Sequence, residues 1–385
     1  MVKGFVFATA RAGLKRKGTD VALMFAPGGC TTAAVFTTNR FAAAPVISGR
    51  ERVRRGNPRA ILVNSGNANA CTGAAGLKAV YDLTARLAKK LGVKNDEVVM
   101  SSTGVIGHLL PEEKIAAKLD ELAGSLAADQ GDAAARAIMT TDAFPKIAGA
   151  SLRLGGKKVV LYGFAKGAGM IHPNMATMLA YIFTDAKIAK RELQKMTAGA
   201  AAKTFNSIVV DGDTSTNDSL FVLASGAAGN RALTVQDRAV FAAALEKVCR
   251  ELATAMVRDG EGATRMMELT VRGAKTEKEA KIVAKSVAKS QLVQCALFGG
   301  DPNWGRIVAA VGYSGITLDP ARVTVKVGRT MLVKNGMPYQ KAPSNLFMGK
   351  KICCIVNLGR GKAETTVWFS DLTYKYITVN SAYHT

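Results

Sequence analysis

Short apolar runs alternate along the chain with stretches whose apolar residues recur every three or four positions, a pattern that predicts a mixed α/β architecture. Residues 4–10 read as an apolar strand followed by a turn, and PRAILVNSG (58–66) as a buried strand running into another. GLKAVYDLTARLAKKLG (76–92) has the spacing of an amphipathic helix that stops on glycine. DEVVMSSTGVIG (96–107) predicts a strand breaking into a small-residue turn. A helix is expected from Pro111, with proline and two acids in its first turn. Beyond residue 150, SLRLGG and KKVVLYGFA predict two strands leading into the glycine-rich KGAGMIHPNMATML and the apolar strand TMLAYIFTDA. Helices are expected over 190–203 and 235–256, separated by SIVVDGDTSTND and the strand SLFVLAS. The last third predicts a basic helix, a strand LVQCALFGG, a loop DPNWGR and β-rich runs up to TYKYITVNSAYHT. No fixed-period repeat or low-complexity linker interrupts the pattern.

At 385 residues, two lobes with a cleft between them are the expectation. A hydrophobic content of 48% is enough to bury a large core. Charge changes the picture more: 52 Lys and Arg against 29 Asp and Glu leave a formal +23. Such an excess suits nucleic acid, an anionic substrate or a solvated surface. The basic residues are dispersed, with small groups at Lys15, Arg16, Lys17, at Arg50, Arg52, Arg54, Arg55, and at Lys278, Lys281, Lys285, Lys289. The last group is spaced in threes and fours among Ile282, Val283 and Val287, as on the wet face of a helix. No interleaved aromatics suggest base stacking, so no nucleic-acid partner is expected. Six cysteines without C-x-x-C spacing read as buried thiols in a reducing compartment, and three histidines leave little for a metal site. No run of about 18 apolar residues predicts a membrane span, and a cytoplasmic protein is expected.

Phosphate-loop, zinc-helix and nucleophile-elbow motifs are absent. DGDTSTND (211–218) is rich in oxygen ligands but lacks the glycine and terminal glutamate of a calcium loop, so it reads as a turn with local Asx bonding, or as a site wall. KGAGMIHPNMATML is different, because its small residues allow close backbone approach and Thr177 stands where loop gives way to strand. Spacing alone leaves open a plain glycine-rich turn.

That segment closely resembles the cleavage and nucleophile motif of the ornithine acetyltransferases of arginine biosynthesis, the glutamate N-acetyltransferase family called ArgJ. The resemblance spans essentially the whole chain. It includes VNSGNANACTG (63–73), SSTGVIG (101–107), AIMTTD (137–142), DGDTSTND, RDGEGAT (258–264), FGGDPNWGRI (298–307) and the terminal VNSAYHT, in family order. It implies a two-lobed α/β, self-processing N-terminal-threonine acetyltransferase of the ArgJ and DmpA-like type. The chain would be cut between Ala176 and Thr177 into an N-terminal lobe (1–176) and a C-terminal lobe (177–385), which associate as an α2β2 heterotetramer.

The implied activity is transfer of acetyl from N-acetylornithine to glutamate through an ester on Thr177, without a cofactor or metal, and with acetyl-CoA as a candidate second donor. Cutting would give Thr177 a free α-amine with a reference pKa of about 7.7–8.0, able to serve as its base. By resemblance, Thr103 and Gly104 form the oxyanion hole. Thr140 (with Thr141 as its neighbour), Lys166, Thr177, Glu261, Asn380 and Thr385 contact substrate. Lys166 suits a carboxylate and Glu261 an ammonium. His172 is read as packing or surface, and Asn303, Trp304 and Arg306 as supports of a site wall or interface. One rival is a self-processed amidohydrolase or aminopeptidase that passes the acyl group to water. Another is a basic binding protein without catalysis.

Overall fold

Every residue of the strand Val21–Phe25 is buried, and its side chains divide between two cores: Ala22 and Met24 enter one, Val21, Leu23 and Phe25 the other. Successive side chains of a strand point to opposite faces, so the sheet that holds it is covered on both sides. In the computed structural model, which describes residues 1–172 and 178–382, this sheet runs in the order Val6–Ala10, Val21–Phe25, Ala60–Asn67, Val98–Val105. Its last pair is parallel and the others antiparallel.

One face packs on a five-stranded sheet ordered Thr31–Phe36, Ser219–Ala224, Leu179–Thr184, Lys157–Lys166, Lys146–Leu154. The interface is aromatic: Phe7 meets Phe183 edge-on at 5.1 Å between centroids, and Phe164, Tyr181 and Phe221 fill the same layer. Outside the four-stranded sheet lies the helix Gly73–Leu91, packed through Val80, Leu83 and Leu87. Outside the five-stranded sheet lie the helices Lys190–Lys203 and Val235–Arg258, the latter packed through Phe241, Leu245, Val248 and Leu252. The result is a helix–sheet–sheet–helix sandwich. A seven-stranded sheet, running from Met337–Pro338 at one edge to Ile208–Val209 at the other, builds a second core with the helix Glu277–Lys289. Met266 and Trp368 of that sheet reach the core under Val235–Arg258 and join the two cores.

The mixed α/β expectation holds, as do most of the elements. SLRLGG and KKVVLYGFA form a hairpin in which Leu154 pairs with Lys157. Its two turn residues, Gly155 and Gly156, have φ of 51° and 82°, the positive values that a two-residue turn matched to strand twist requires. The five-stranded sheet draws strands from both sides of residues 176 and 177: Lys166 pairs with Leu179 and Ala165 with Ala180. A division there separates the chain without separating the packing.

Four elements differ from expectation. The helix from Pro111 is two short ones, Glu112–Ala116 and Leu119–Gly124. LVQCALFGG lies in a helix, Gln291–Gly299, because the Ser290 side chain accepts from the Val293 N–H and Gly300 closes the end at φ 70°. An all-apolar run fits a buried helix as well as a strand until such caps are weighed. DPNWGR is only briefly a loop: the Asn303 side chain accepts from the Arg306 N–H and opens the helix Trp304–Gly312. The β-branched tail forms the helix Tyr374–Ala382, opened by Thr373, whose Oγ1 accepts from the Tyr376 N–H at 3.2 Å. The cysteines also depart from expectation, since Cys71, Cys295 and Cys353 are exposed.

Ser290 ends one helix and caps the next. Ser290→Ala is expected to lower stability by about 1 kcal/mol and Ser290→Gly by only a few tenths, measured as the shift in chemical denaturation midpoint.

Candidate active site

Lys166 closes the strand Lys157–Lys166, and its side chain is only 3% exposed. A buried ammonium needs acceptors. It donates to Thr140 Oγ1 at 2.6 Å and Thr103 Oγ1 at 3.1 Å, with Asp142 Oδ2 at 4.0 Å. An ammonium has no acceptor to offer, so Thr103 receives this bond on a lone pair and its own O–H proton is left to point elsewhere. Burial pulls the Lys166 pKa below the ordinary lysine value, although the neighbouring Asp142 carboxylate works the other way.

Asp142 is the hub of this region. Its Oδ1 accepts from Lys146 Nζ at 2.5 Å and from the Gly167 N–H at 2.7 Å, and its Oδ2 accepts from the Thr140 N–H at 3.0 Å. Burial works to raise its pKa, but Lys166, Lys146 and these donors outweigh that and hold it below the usual carboxylate range. Lys146, fully buried, also donates to Asp259, whose Oδ2 accepts from the Ala143 N–H. One buried cation thus ties the 140–143 turn to the segment that carries Glu261.

Thr103 and Gly104 lie at the end of Val98–Val105, where pairing to Ala60–Asn67 breaks register at Gly66 and Asn67. Gly104 has φ 137°, and a Cβ there would come within 2.3 Å of the Gly66 carbonyl carbon, so no other residue fits. Glu261 is held through its N–H on Ala168 O at 2.9 Å and through Oε2, which accepts from Asn380 Nδ2 at 2.9 Å. A Cβ at Gly169 would stand 2.5 Å from that same Oε2.

DGDTSTND supplies a wall with local Asx bonding. The Asp211 carboxylate accepts from the N–H groups of Met170 (2.6 Å), Ile171 (2.9 Å) and Asp213 (3.1 Å), and burial pushes its pKa up to about 6. Asn217 donates to Ala68 O at 2.6 Å and Ser102 O at 2.8 Å, fastening this wall to the strand of Thr103.

These segments enclose a cleft of about 210 Å³, smaller than the roughly 300–1,000 Å³ of sites for drug-sized ligands and suited to an amino-acid derivative. Thr103, Gly104, Thr140, Lys166, Glu261 and Asn380 all line it. Thr141 lines it too, but Lys166 bonds to Thr140. Ala176, Thr177 and Thr385 lie outside the described residues. Asn303, Trp304 and Arg306 do not line this cleft; Asn303 caps a helix and Arg306 donates to Leu292 O. His172 is half-buried, and burial, with Lys289 and Lys285 nearby, lowers its pKa to about 4, so its ring is neutral. Tyr376 lines the cleft without having been foreseen. It stands one helical turn before Asn380, a spacing that becomes visible only once the tail is known to be helical.

The arrangement offers one cation, several carboxylates and a hydroxyl with a free proton to a small ligand bearing both signs of charge. Comparison with known proteins then places the chain. The ArgJ family model matches residues 6–385. Proteins named arginine biosynthesis bifunctional protein ArgJ are similar from end to end. That of Caldanaerobacter subterraneus subsp. tengcongensis is 43% identical over 392 residues, covering 100% of this chain and 97% of the relative. That of Geobacter sulfurreducens is 43% identical over 391 residues, covering 100% of both. A crystal structure of arginine biosynthesis bifunctional protein ArgJ from Bacillus halodurans superposes with a TM-score of 0.51 at 39% identity, over 53% of this chain and 98% of that one. The chain belongs to the ArgJ family.

Removing one partner from a buried ion network strands the others. Lys146→Met is expected to cost about 3–5 kcal/mol, read as the fall in unfolding free energy; a loss below about 1 kcal/mol would show that Asp142 and Asp259 do not depend on this cation.

Proposed function

We propose that the chain moves acetyl from N2-acetyl-L-ornithine to L-glutamate in two half-reactions, through an acetyl ester on Thr177, after the chain is cut between Ala176 and Thr177. The observation that carries this reading is the convergence of Thr103, Gly104, Thr140, Lys166, Glu261 and Asn380, from separate stretches of sequence, on one small cleft. The free α-amine of Thr177 takes the Oγ proton as the hydroxyl attacks the acetamide carbonyl. Negative charge on the carbonyl oxygen meets the Thr103 O–H, left free by the bond from Lys166, and the Gly104 N–H. A preset donor of this kind is typically worth about 2.7–4 kcal/mol. Ornithine then leaves with the proton; the amine of glutamate attacks the ester, the acetyl carbon–Oγ bond breaks, and the proton lost by the glutamate amine returns through the α-amine to Thr177 Oγ.

Lys166 meets the substrate carboxylate, and Glu261, steadied by Asn380, meets the side-chain ammonium of ornithine. Thr140, Thr177 and Thr385 complete the contacts. Cleavage is supported by the Bacillus halodurans chain, which matches along 98% of itself but only 53% of this one, as a fragment of a chain cut near its middle would. The relatives' bifunctional name supports acetyl-CoA as a second donor to glutamate. We assign the two fragments to a cytoplasmic α2β2 assembly; among the described residues no helix is long and apolar enough to cross a membrane. Opposite charges in the cleft favour an amino-acid acceptor over water.

Purified protein is expected to run as two fragments, the second beginning at Thr177, with Thr177→Ala remaining one chain. N-acetylornithine alone should add one acetyl group to the second fragment, seen by intact mass after acid quench, and glutamate should discharge it faster than water does. Uncut protein with full activity would overturn the need for cleavage.

Glu261→Gln should slow transfer from N-acetylornithine roughly tenfold to a hundredfold, the size of one charge-assisted hydrogen bond. Donors lacking the side-chain amine should be affected far less. Equal losses on both donors would assign Glu261 a structural role.

A further inference from the structure

The start of the tail helix Tyr374–Ala382 is fastened to the turn that follows Glu261. Thr373 Oγ1 donates to Gly262 O at 2.9 Å and accepts from the Tyr376 N–H at 3.2 Å. Gly262, at φ 73°, packs so closely that a Cβ there would come within 2.7 Å of the Tyr376 nitrogen. One turn later, Asn380 Nδ2 donates to Glu261 Oε2 at 2.9 Å and to Tyr376 O at 3.0 Å. Both hydrogens of that amide are committed. Of the two residues by which this helix lines the cleft, Tyr376 therefore carries the side-chain donor that remains.

Three carboxylates act on the Tyr376 hydroxyl: Asp211 as a charge and as a hydrogen-bond acceptor, Glu261 and Asp213 as charges. Burial first, and then these charges, raise its pKa above the ordinary phenol value, so the hydroxyl keeps its proton. Asp211 does not depend on that proton, because the N–H groups of Met170, Ile171 and Asp213 already serve its carboxylate. The phenol can turn its O–H to another acceptor without leaving Asp211 unsatisfied.

The proposed reaction puts opposite demands on this side of the cleft. With the α-carboxylate of either amino acid on Lys166, ornithine brings an ammonium to Glu261, whereas glutamate brings a further carboxylate beside Asp211, Glu261 and Asp213. A like charge placed there is repelled unless a donor meets it. We infer that Tyr376 is the specificity-determining residue that admits glutamate: its O–H stays on Asp211 while ornithine is bound and turns to the side-chain carboxylate when glutamate takes its place. This rests on the proposed transfer between these two amino acids. Glu261 and Tyr376 divide one subsite, the carboxylate serving the cation and the phenol the anion. Rotation of a single hydroxyl changes the sign of charge that the subsite accepts.

The test is calorimetric titration of the purified protein with L-glutamate, L-ornithine and L-norvaline, the last an amino acid of similar chain length without a side-chain charge. Tyr376→Phe keeps the ring and removes only the hydroxyl. Its Kd for glutamate should rise about tenfold to a hundredfold, the size of one charge-assisted hydrogen bond, and at least about fivefold more than its Kd for ornithine or norvaline. Glu261→Gln should show the opposite order, losing ornithine more than glutamate. Equal losses of all three ligands in Tyr376→Phe would make the tyrosine a structural support, and an unchanged Kd for glutamate would show that its side chain is met elsewhere; either result overturns the assignment. Binding needs no acetyl ester, so these outcomes stand apart from the Thr177 chemistry. A wild type that binds neither ornithine nor glutamate would bring down the proposed function, and the role of Tyr376 with it.

Discussion

The ammonium of Lys146, wholly withdrawn from water, is answered by Asp142 on one side and Asp259 on the other. Stranding either partner would cost more than most single interactions contribute, so the three groups move together or not at all. Asp142 is also bonded to the Gly167 and Thr140 N–H groups, and Asp259 to that of Ala143. The ion triad therefore sets the spacing between the turn carrying Thr140, the strand end carrying Lys166 and the segment carrying Glu261. A triad of this kind adds little to net stability compared with an apolar core of the same size. What it supplies is a fixed relation among three pieces of chain that approach from different directions.

From that frame the properties of the cleft follow in order. Lys166 is buried beside a satisfied carboxylate, so its ammonium seeks hydroxyls, and Thr103 becomes a donor because its lone pair is occupied. Thr103 and Gly104 stand where two parallel strands finish and their pairing slips. Placing donors at strand ends gives them the rigidity of the sheet while leaving them open to a ligand. More adaptable contacts come from Asn380 and Tyr376, on a C-terminal helix at the surface.

Much of this was legible in the sequence. Strands built on apolar runs, such as residues 60–63 and 179–183, and the helix ending on Gly92 declared themselves through period and punctuation. The resemblance carried by the glycine-rich segment and its companion motifs named Thr103, Gly104, Thr140, Lys166, Glu261 and Asn380, all of which line the cleft. What escaped was set by single caps and by tertiary context. Ser290, Asn303 and Thr373 each turn a segment into a helix with one side-chain hydrogen bond, against β-branched or apolar content that favours strand. Tyr376 was lost with the tail helix. The Lys146 triad could not be read, because Asp142 and Asp259 are more than a hundred residues apart and nothing local marks a lysine as buried.

The pairing of Lys166 with Leu179, across the proposed cut, sets an order of events. In one intact chain that pairing closes a short loop, at a modest entropic cost. Between two separate chains the same pairing would carry the far larger cost of association. If the bond after Ala176 breaks as proposed, the sheet would have to be complete first and the break would work as a ratchet: forward folding is unimolecular, whereas the reverse path would lead to two chains that must find each other again. A molecule past that point would be kinetically trapped in its native arrangement, whatever its margin of thermodynamic stability.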